Sequence, residues 1–430
     1  MRPLSVWRDF SSGLYRSRAE VGELRLARLR ALVEHAYAKV PYYRKLFDRV
    51  GFQPRHLKQL SDIEAIPVTT RLDLQSTPLD DLIARGYAPE RLRPSRTSGS
   101  TGAPLTVYRS QREAYFGRFA RMRMWLYHGI RLNDRVLTIC GRPTTIHRRP
   151  WLRFLPVPWR WNLSVLERPD TILAALAKFR PSVLYGYSSH VAQLARLARE
   201  GEIPGARLRV VATSGDLLPP GFRKLIREAW DVDPIDIYNS SEIGDIGWQC
   251  KARQGFHLNA DVLVVEFLRD GRPVQDGDRG EIAITNLYRY AMPLIRYNGG
   301  DLGVPGDDPC DCGIRLPKMR AIEGRTLNAC PLPDGRWFIG FNRIMSNIEG
   351  IARFQVLQKA LDQFQVGVVP GAGYSPDVLA RIEHDVRARL GEGIGVEVRQ
   401  VLESELVQTS GKLAAVIPFA RMDFGNAEGP

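Results

Sequence analysis

The chain has 430 residues, with 61 Lys and Arg against 47 Asp and Glu, and a formal net charge of +14. This length fits one large domain plus a small one, and the 44% of hydrophobic residues can supply a sizeable core. The positive charge favours anionic small molecules or an acidic partner protein, whereas the lack of basic blocks and of zinc-finger or RNA-recognition signatures argues against nucleic acid.

The first 20 residues lack the apolar stretch, roughly 7–15 residues long, of a signal peptide. No apolar run approaches roughly 18 residues, so we expect no membrane span. Five cysteines do not form a disulfide framework in a chain this long. The predicted location is therefore a reduced cytoplasm.

Hydrophobic periodicity predicts a helix over residues 20–50, which Pro41 interrupts. From about 130 to 290, β-rich segments alternate with helical ones, and this alternation predicts an α/β fold with a mostly parallel sheet. Segments 261–268 and 281–287 follow each other without a helix, which predicts an antiparallel β subdomain. The predicted strands of the parallel sheet are 135–140, 182–187, 209–214 and 234–240, and the helices begin near Ser188 and Pro219.

The hydrophobic pattern changes after residues 323–329. A β-rich segment at 352–370 leads to a predicted helix at 376–390 and a strand at 394–401. These elements form an α+β unit with its own pattern. We therefore predict an N-terminal domain at 1–325 and a small C-terminal domain at 326–430.

A run of hydroxylic and very small residues, Thr97–Ala103, precedes a predicted strand. Its glycines allow tight turns and close approach to a ligand, and successive backbone N–H groups in such a turn form an anion-binding concavity. The chemistry fits a nucleotide polyphosphate, although the run has neither the spacing nor the lysine of a Walker loop. A flexible surface loop is the alternative interpretation.

Five separated motifs resemble those of the adenylate-forming enzymes, and they occur in the expected order. They are "TSGSTGAP" (97–104), "YNSSE" (238–242), "PLIRYNGGD" (293–301), "GR" (324–325) and "TSGK" (409–412). The patterns at 31–74 and 179–195 are typical of the phenylacetate–coenzyme A ligase family, including its capsular polysaccharide biosynthesis branch. The resemblance implies a large adenylate-forming domain with mixed sheets and a small mobile C-terminal domain.

The resemblance also implies two half-reactions. A carboxylate attacks the α-phosphorus of ATP to give an acyl-adenylate and pyrophosphate, and a thiol, usually that of coenzyme A, then displaces AMP. The implied catalytic residues are Lys412, Glu242 and Arg325. Glu242 would bind Mg²⁺, Arg325 would support the ribose or phosphate at the hinge, and Lys412 would reach the α-phosphate and the attacking carboxylate.

The implied nucleotide site combines several segments. The β- and γ-phosphates would lie on the loop, Tyr238 would stack on adenine, and Asp301 would accept hydrogen bonds from the ribose. The full set is Thr97, Ser98, Gly99, Ser100, Thr101, Gly102, Ser214, Gly215, Asp216, Tyr238, Asn239, Ser240, Ser241, Asp301 and Arg325. The implied acyl pocket is formed by Tyr187, Gly186 and Asn239.

Several positions depart from the family pattern, among them Ser241, which replaces a threonine. Ala103 replaces a lysine that is common in the phosphate loop, the segment after Arg325 lacks the usual hinge aspartate, and Asn239 replaces a glycine beside the acyl group. Aromatic residues such as Tyr187 and Trp125 permit an aryl acid without requiring one. The identity of the acid is therefore left open.

Cys250, His257, Cys310 and Cys312 form a second constellation. Three thiolates and one imidazole suit tetrahedral Zn²⁺, and four protein ligands leave no open position. We therefore predict a structural zinc site that stabilises the β subdomain. The alternative is a set of reduced surface cysteines near a core histidine.

The leading functional hypothesis is an AMP-forming acyl- or aryl-coenzyme A ligase that uses ATP, Mg²⁺, a carboxylic acid and coenzyme A. A second hypothesis keeps adenylation but transfers the acyl group to an acidic carrier protein or to an amine, because the positive charge suits an acidic protein. A third is a catalytically degenerate scaffold in polysaccharide or lipid assembly. The family likeness is also compatible with a homodimer.

Overall fold

Helices account for much of the chain and lie mainly around a central sheet. The structure, a computed structural model, describes residues 12–96, 105–131, 133–140, 144–147, 159–164, 167, 169–199, 207–306, 309–325, 330–334, 337–338, 341–346, 348–371, 373–391, 393–409, 412–413 and 415–419. The α-helices are α1 (Arg18–Lys39), α2 (Pro41–Arg49), α3 (Arg71–Ser76), α4 (Leu79–Leu82), α5 (Gln111–Tyr127), α6 (Pro169–Phe179), α7 (Ser188–Arg199), α8 (Pro220–Trp230), α9 (Phe341–Ser346) and α10 (Asp377–Leu390). Short 3-10 helices occur at Gly13–Tyr15, Pro54–His56, Leu60–Ala65, Pro89–Arg91 and Glu403–Glu405.

The strands are numbered in chain order. They are β1 (Thr69–Thr70), β2 (Arg93–Arg96), β3 (Thr106–Arg109), β4 (Arg135–Cys140), β5 (Thr145–His147), β6 (Trp159–Ser164), β7 (Val183–Tyr187), β8 (Val210–Ser214), β9 (Ile235–Ser240), β10 (Gly244–Trp248), β11 (Phe256–Leu258), β12 (Leu263–Arg269), β13 (Arg272–Pro273), β14 (Gly280–Asn286), β15 (Tyr297–Pro305), β16 (Lys318–Arg325), β17 (Cys330–Pro331), β18 (Trp337–Phe338), β19 (Ile351–Ala360), β20 (Gln363–Pro370), β21 (Gly395–Gln400), β22 (Gln408–Thr409), β23 (Lys412–Leu413) and β24 (Val416–Ile417).

One large mixed sheet forms the centre of the molecule. Its strand order is β13-β12-β14-β15-β16-β11-β10-β9-β8-β7-β4-β6-β5, and β1 pairs with β15. Strands β6, β4, β7, β8 and β9 are parallel, as the alternating pattern predicted. The predicted antiparallel strands are also present, but β10, β11 and β16 join them to the parallel strands, so the two regions share one hydrogen-bonded sheet.

The first two helices begin and end where the sequence indicates. Ser17 and Glu20 form a capping box at the start of α1, in which the Glu20 backbone N–H donates to Ser17 Oγ (3.2 Å) and the Ser17 N–H donates to Glu20 Oε2 (2.7 Å). Pro41 occupies the first position of α2, where its missing N–H has no helical partner to lose. The predicted interruption at this proline is confirmed.

Helices cover both faces of the parallel strands. Trp125 of α5 packs on the face that carries Val136 and Val183, whereas α7 packs with Val191 on the opposite face, beside Leu184. This arrangement follows from the period of two in a strand, which sends successive side chains to opposite faces. Because β7, β8 and β9 are parallel neighbours, their carboxyl ends meet at one edge of the sheet. Open α/β sheets usually bind ligands at this edge.

The C-terminal part of the chain has a separate core. Strands β21, β20, β19 and β24 form a four-stranded sheet in that order, and α10 packs Ile382 and Val386 against Val366 and Val368. The predicted strand pair, helix and final strand are therefore present. The division at 325/326 stays a prediction. No helix in the described part of the chain is long and apolar enough to cross a membrane.

Candidate active site

Strand β9 carries Tyr238, and the turn that follows it carries Glu242, so this segment supplies two of the predicted site residues. The phenol of Tyr238 donates a hydrogen bond to Asp301 Oδ2 at 2.8 Å. The structure thus brings together the residues predicted for adenine and for ribose. Asp301 on β15 also pairs with Arg325 on β16 in the strand register, which places the backbone of Arg325 beside Asp301; its side chain lies outside the described part.

Glu242, the predicted magnesium ligand, is buried just beyond the end of β9. Tyr297 donates its hydroxyl to Glu242 Oε1 at 3.2 Å, and the Arg71 guanidinium lies 3.9 Å from the same oxygen. Burial, and then the neighbouring Glu242 charge, raise the pKa of Tyr297 well above its ordinary value. The phenol therefore stays protonated at neutral pH and holds the carboxylate in place.

Sequence reasoning missed Arg71 and Tyr297. Tyr297 lies inside the quoted "PLIRYNGGD" motif, so a signal was available although only Asp301 was given a role there. Arg71 follows Thr70, the N-cap of α3, and nothing local distinguishes it from an ordinary first-turn residue.

The predicted phosphate loop, Thr97–Ala103, lies outside the described residues. The two strands that flank the loop are described. Strands β2 and β3 are antiparallel, with Arg96 opposite Thr106. Ser95, near the end of β2, donates its hydroxyl to the backbone carbonyl of Ser241 at 3.0 Å. The strand that leads into the loop is thus fixed beside the turn that carries Glu242.

The end of β8 carries the predicted nucleotide residues Ser214, Gly215 and Asp216. Gly215 has a φ of +83°, and a methyl group added there would lie 2.5 Å from a ring carbon of Tyr187, so glycine is needed for this contact. The Asp216 carboxylate accepts hydrogen bonds from the backbone N–H groups of Ser188 (2.5 Å) and Ser189 (3.0 Å) and so caps α7. This structural role accounts for Asp216, and its predicted contact with the nucleotide stays a prediction.

Asn239 points to the face of the sheet opposite Tyr238. Its amide donates to Tyr185 Oη at 3.1 Å, and Tyr185 Oη lies 2.8 Å from Ser214 Oγ. The Asn239 amide also lies 3.5 Å from Asp245 Oδ1. Asp245 in turn forms a bidentate ion pair with Arg121 of α5, at 2.6 and 2.7 Å. A polar network therefore begins at the residue that replaces the family's glycine.

Gly186 occupies a different environment from the other two predicted acyl-pocket residues. It follows Tyr185 on β7 and so faces α7, where an added methyl group would lie 3.1 Å from Ile139 Cβ and 3.3 Å from Val191 Cγ2. Glycine at this position permits close packing of α7 on the sheet. Tyr187 and Asn239 lie on the other face, and all three assignments to the acyl pocket stay predictions.

Lys412 lies on β23, which pairs with β22 so that Lys412 is opposite Thr409. The described geometry is that of a short antiparallel ladder in the C-terminal part of the chain. The position of the lysine side chain is outside the description, so its predicted role in catalysis stays a prediction.

The predicted zinc ligands converge in space. One donor atom from each of Cys250, His257, Cys310 and Cys312 lies within 4.8 Å of the others. Cys250 Sγ lies 3.6 Å from Cys310 Sγ, and Cys312 Sγ lies 3.3 Å from His257 Nε2. A tetrahedral zinc with Zn–S bonds of about 2.3 Å separates its sulfur ligands by about 3.8 Å. The four groups are therefore spaced as a metal site requires.

The second nitrogen of His257 has a partner that favours metal binding. His257 Nδ1 lies 2.9 Å from the backbone carbonyl oxygen of Leu316. Because a carbonyl only accepts, this contact assigns the proton to Nδ1 and leaves the Nε2 lone pair directed at the cysteines. The cluster can hold a metal ion with no further ligand.

Comparison with known proteins supports the resemblance predicted from the motifs. No protein-family model matches the chain. The chain is 29% identical to a phenylacetate-coenzyme A ligase of Thermus thermophilus over 93% of its own length and 88% of that protein. It is 27% identical to a phenylacetate-coenzyme A ligase of Escherichia coli, with 71% of each chain covered, and 23% identical to protein CapK of Staphylococcus aureus, with 62% of this chain and 59% of that protein covered. The predicted resemblance to this family and its capsule-associated branch is confirmed.

Solved structures confirm the fold. A 2-hydroxyisobutyryl-CoA ligase in its postadenylation state superimposes with a TM-score of 0.79 at 22% identity, covering 95% of this chain and 91% of that chain. An anthranilate CoA ligase superimposes with a TM-score of 0.58 at 14% identity, covering 90% of this chain and 79% of that chain.

Proposed function

We propose that this chain, similar over nearly its whole length to phenylacetate-coenzyme A ligases, is an ATP-dependent, AMP-forming acid–thiol ligase. It activates a carboxylic acid as an acyl-adenylate and passes the acyl group to coenzyme A. The curated relatives bear out the class of enzyme predicted from the motifs. The structural observation that carries the proposal is the hydrogen bond between Tyr238 and Asp301 next to the buried Glu242.

Adenylation requires two anions, a carboxylate and a triphosphate, to approach each other. Positioning and electrostatic stabilisation therefore do most of the catalytic work. Tyr238 stacks on adenine, and Asp301 accepts hydrogen bonds from the ribose hydroxyls while it also accepts from Tyr238, because a carboxylate has several lone pairs. Lys412 donates to the α-phosphate and the attacking carboxylate. Glu242 would hold Mg²⁺, which supplies positive charge to the phosphates.

Pyrophosphate exchange tests this proposal. Purified protein is incubated with ATP, Mg²⁺ and labelled pyrophosphate in the presence of a broad carboxylic acid panel. We expect at least one acid to drive label into ATP, since adenylation is reversible. ATP binding by calorimetry without exchange on any acid would instead favour the degenerate scaffold.

The acceptor is tested separately with the acid that supports exchange. We expect thioester formation with coenzyme A. The net charge of +14 favours encounter with an acidic carrier protein, so transfer to a carrier thiol or to an amine, with none to coenzyme A, would assign the second candidate function.

Tyr297→Phe tests the positioning of Glu242. The variant keeps the ring and removes the hydroxyl that donates to the Glu242 carboxylate. Because a hydrogen bond to a charged group contributes about 1.5–3 kcal/mol, we expect the Mg²⁺ concentration for half-maximal exchange to rise about tenfold or more, with a smaller change in kcat. Tyr37→Phe is the matched control, since Tyr37 donates to the Asp48 carboxylate outside the site at 2.9 Å. Equal Mg²⁺ dependence in both variants would assign Tyr297 a purely structural role.

The Cys250, His257, Cys310 and Cys312 cluster supports a structural zinc as part of this proposal. Four protein ligands complete a tetrahedral shell, so the ion stabilises the fold and has no open position for substrate. We expect about one zinc per chain by elemental analysis. Cys312→Ser should lose the metal and lower the thermal unfolding midpoint, whereas Cys140→Ser, which changes a thiol on β4 outside the cluster, should retain it. Purified protein without zinc, and indifferent to added zinc in thermal unfolding, would contradict the assignment.

The proposed location is the cytoplasm. Cys140, Cys250, Cys310, Cys312 and Cys330 are all free thiols in the structure. Free thiols and thiolate metal ligands are compatible with a reducing compartment.

A further inference from the structure

Three arginines lie near one another where helix α5 meets strand β6, and two of them, Arg118 and Arg160, are exposed to solvent. Arg118 and Arg121 share a face of α5 with Trp125, because residues three and four apart are neighbours on a helix. The Arg121 guanidinium lies 5.9 Å from the centre of the Tyr185 ring. Arg160, on β6, lies 5.8 Å over the Trp125 ring, which itself contacts Tyr185 with 5.8 Å between ring centres. We call Arg118, Arg121 and Arg160 the arginine cluster.

The arginine cluster has an excess of positive charge. Asp245 binds Arg121 through both carboxylate oxygens, but within the described ranges no carboxylate contacts Arg118 or Arg160, whose contacts are the aromatic rings of Tyr115 (5.4 Å) and Trp125. Partial desolvation, and then repulsion from Arg121 and Arg118, lower the pKa of Arg160 although its side chain reaches solvent. Three guanidinium groups thus share one carboxylate, and an anion bound among them would relieve the repulsion.

Trp125 provides a second, independent indication of a ligand. Its side chain is buried, with 7% of the residue exposed, and its indole Nε1–H has no hydrogen-bond partner in the part of the chain that the structure describes. A buried donor without an acceptor costs about 1–3 kcal/mol. The indole and the neighbouring guanidinium groups can only donate, so the missing partner is an acceptor.

The arginine cluster is continuous with the candidate acyl pocket. Asn239, Tyr185 and Ser214 are linked by hydrogen bonds at the carboxyl ends of the strands. In the sheet register, Arg160 is level with Val136 and Val183, two residues before Tyr185 on β7. Arg160 and Trp125 therefore lie on the same face of the sheet, farther from the strand ends. A substrate that reacts at the strand ends would direct its far end towards these arginines.

We propose that the carboxylic acid activated by this protein carries a second anionic group, and that Arg118, Arg160 and the Trp125 indole bind that group, with Arg121 held in place by Asp245. This inference rests on the proposed adenylation of a carboxylic acid. A purely apolar acid would leave the cluster's excess positive charge and the buried Trp125 donor without a partner, which is unfavourable. The favoured substrates are dicarboxylic acids or acids with an equivalent distal anion.

Matched pairs of acids test the proposal through pyrophosphate exchange. The pairs are succinate and butyrate, glutarate and valerate, and 4-carboxyphenylacetate and 4-methylphenylacetate. We expect kcat/KM to be about 10- to 100-fold higher for the dianion of at least one pair, as for a hydrogen bond to a charged group. Arg160→Gln and Arg118→Gln should each reduce this ratio about tenfold or more, and Trp125→Phe should reduce it less because the ring remains. Arg44→Gln is the control. Arg44 also lies over an aromatic ring, 5.0 Å from the centre of the Tyr37 ring, but this pair is remote from the site.

The outcomes separate this inference from the proposed function. Exchange that is no faster with the dicarboxylate than with the monocarboxylate in every pair would overturn the distal anion site and retain the adenylation. An unchanged kcat/KM ratio of dicarboxylate to monocarboxylate in Arg160→Gln and Arg118→Gln would also overturn the distal anion site. So would a preference for the dicarboxylate that is seen only in the thioester step with coenzyme A. If no acid supports exchange, the proposed function fails. Calorimetry of glutarate and valerate binding to the protein with a nonhydrolysable ATP analogue then decides: tighter glutarate binding that Arg160→Gln abolishes supports the site, and equal binding overturns it.

Discussion

Replacing Lys412 by alanine should reduce kcat/KM for acid-dependent pyrophosphate exchange by about 100- to 1,000-fold. The lysine ammonium is expected to reach the α-phosphate and the attacking carboxylate only when the negative charge shifts between them. An interaction made mainly in the transition state affects the rate more than substrate binding. The measurement is exchange under saturating ATP and acid, with calorimetric ATP affinity measured on the same variant.

Two controls make the Lys412 result specific. Lys359→Ala removes an exposed lysine from β19 in the same part of the chain and should leave exchange unchanged. Thioester formation from presynthesised acyl-adenylate should be affected far less than exchange, because the lysine acts in the first half-reaction. An unchanged exchange rate in Lys412→Ala would remove this residue from the mechanism.

Replacing Glu242 by glutamine should also reduce exchange by about 100- to 1,000-fold at a fixed, limiting Mg²⁺ concentration, because metal-ion stabilisation of the transition state is worth several kcal/mol. Glutamine keeps the size of the side chain and can still accept a hydrogen bond from Tyr297. It loses the negative charge that a hard divalent cation prefers. Activity is measured across a Mg²⁺ titration, and high Mg²⁺ should restore part of the rate.

Glu281→Gln is the matched control for this substitution. Glu281 on β14 is partly buried and its carboxylate accepts a hydrogen bond from Asn298 at 2.7 Å. Its replacement should not change the Mg²⁺ dependence. A Glu242→Gln variant whose rate falls equally at all Mg²⁺ concentrations would show that Glu242 acts without binding the metal.

The elements that define the fold could be predicted because their signals are local. Strand β7 begins one residue after its predicted start and ends where predicted, and α7 begins at the predicted Ser188. Buried β-branched runs followed by amphipathic helical segments produce this alternation. The order of the motifs likewise predicted which segments converge, and the contact between Tyr238 and Asp301 agrees with that order.

The side-chain network behind the site could not be predicted in the same way. Arg121 and Asp245 are 124 residues apart, and the chain carries many arginines that look alike in sequence. Strand β6, which carries Arg160, lacks the run of β-branched residues that marks β8, so its sequence does not predict a strand. Such contacts depend on sheet register and helix packing, neither of which leaves a local pattern. The capping of α7 by the Asp216 carboxylate is another example.

The most direct test of the account is a crystal structure of this protein with a nonhydrolysable ATP analogue and Mg²⁺. We predict adenine against the Tyr238 ring, ribose hydroxyls on Asp301, Mg²⁺ on Glu242 and the β- and γ-phosphates on residues 97–102. A triphosphate bound elsewhere, with Tyr238, Glu242 and Asp301 making no contact to the nucleotide, would contradict it.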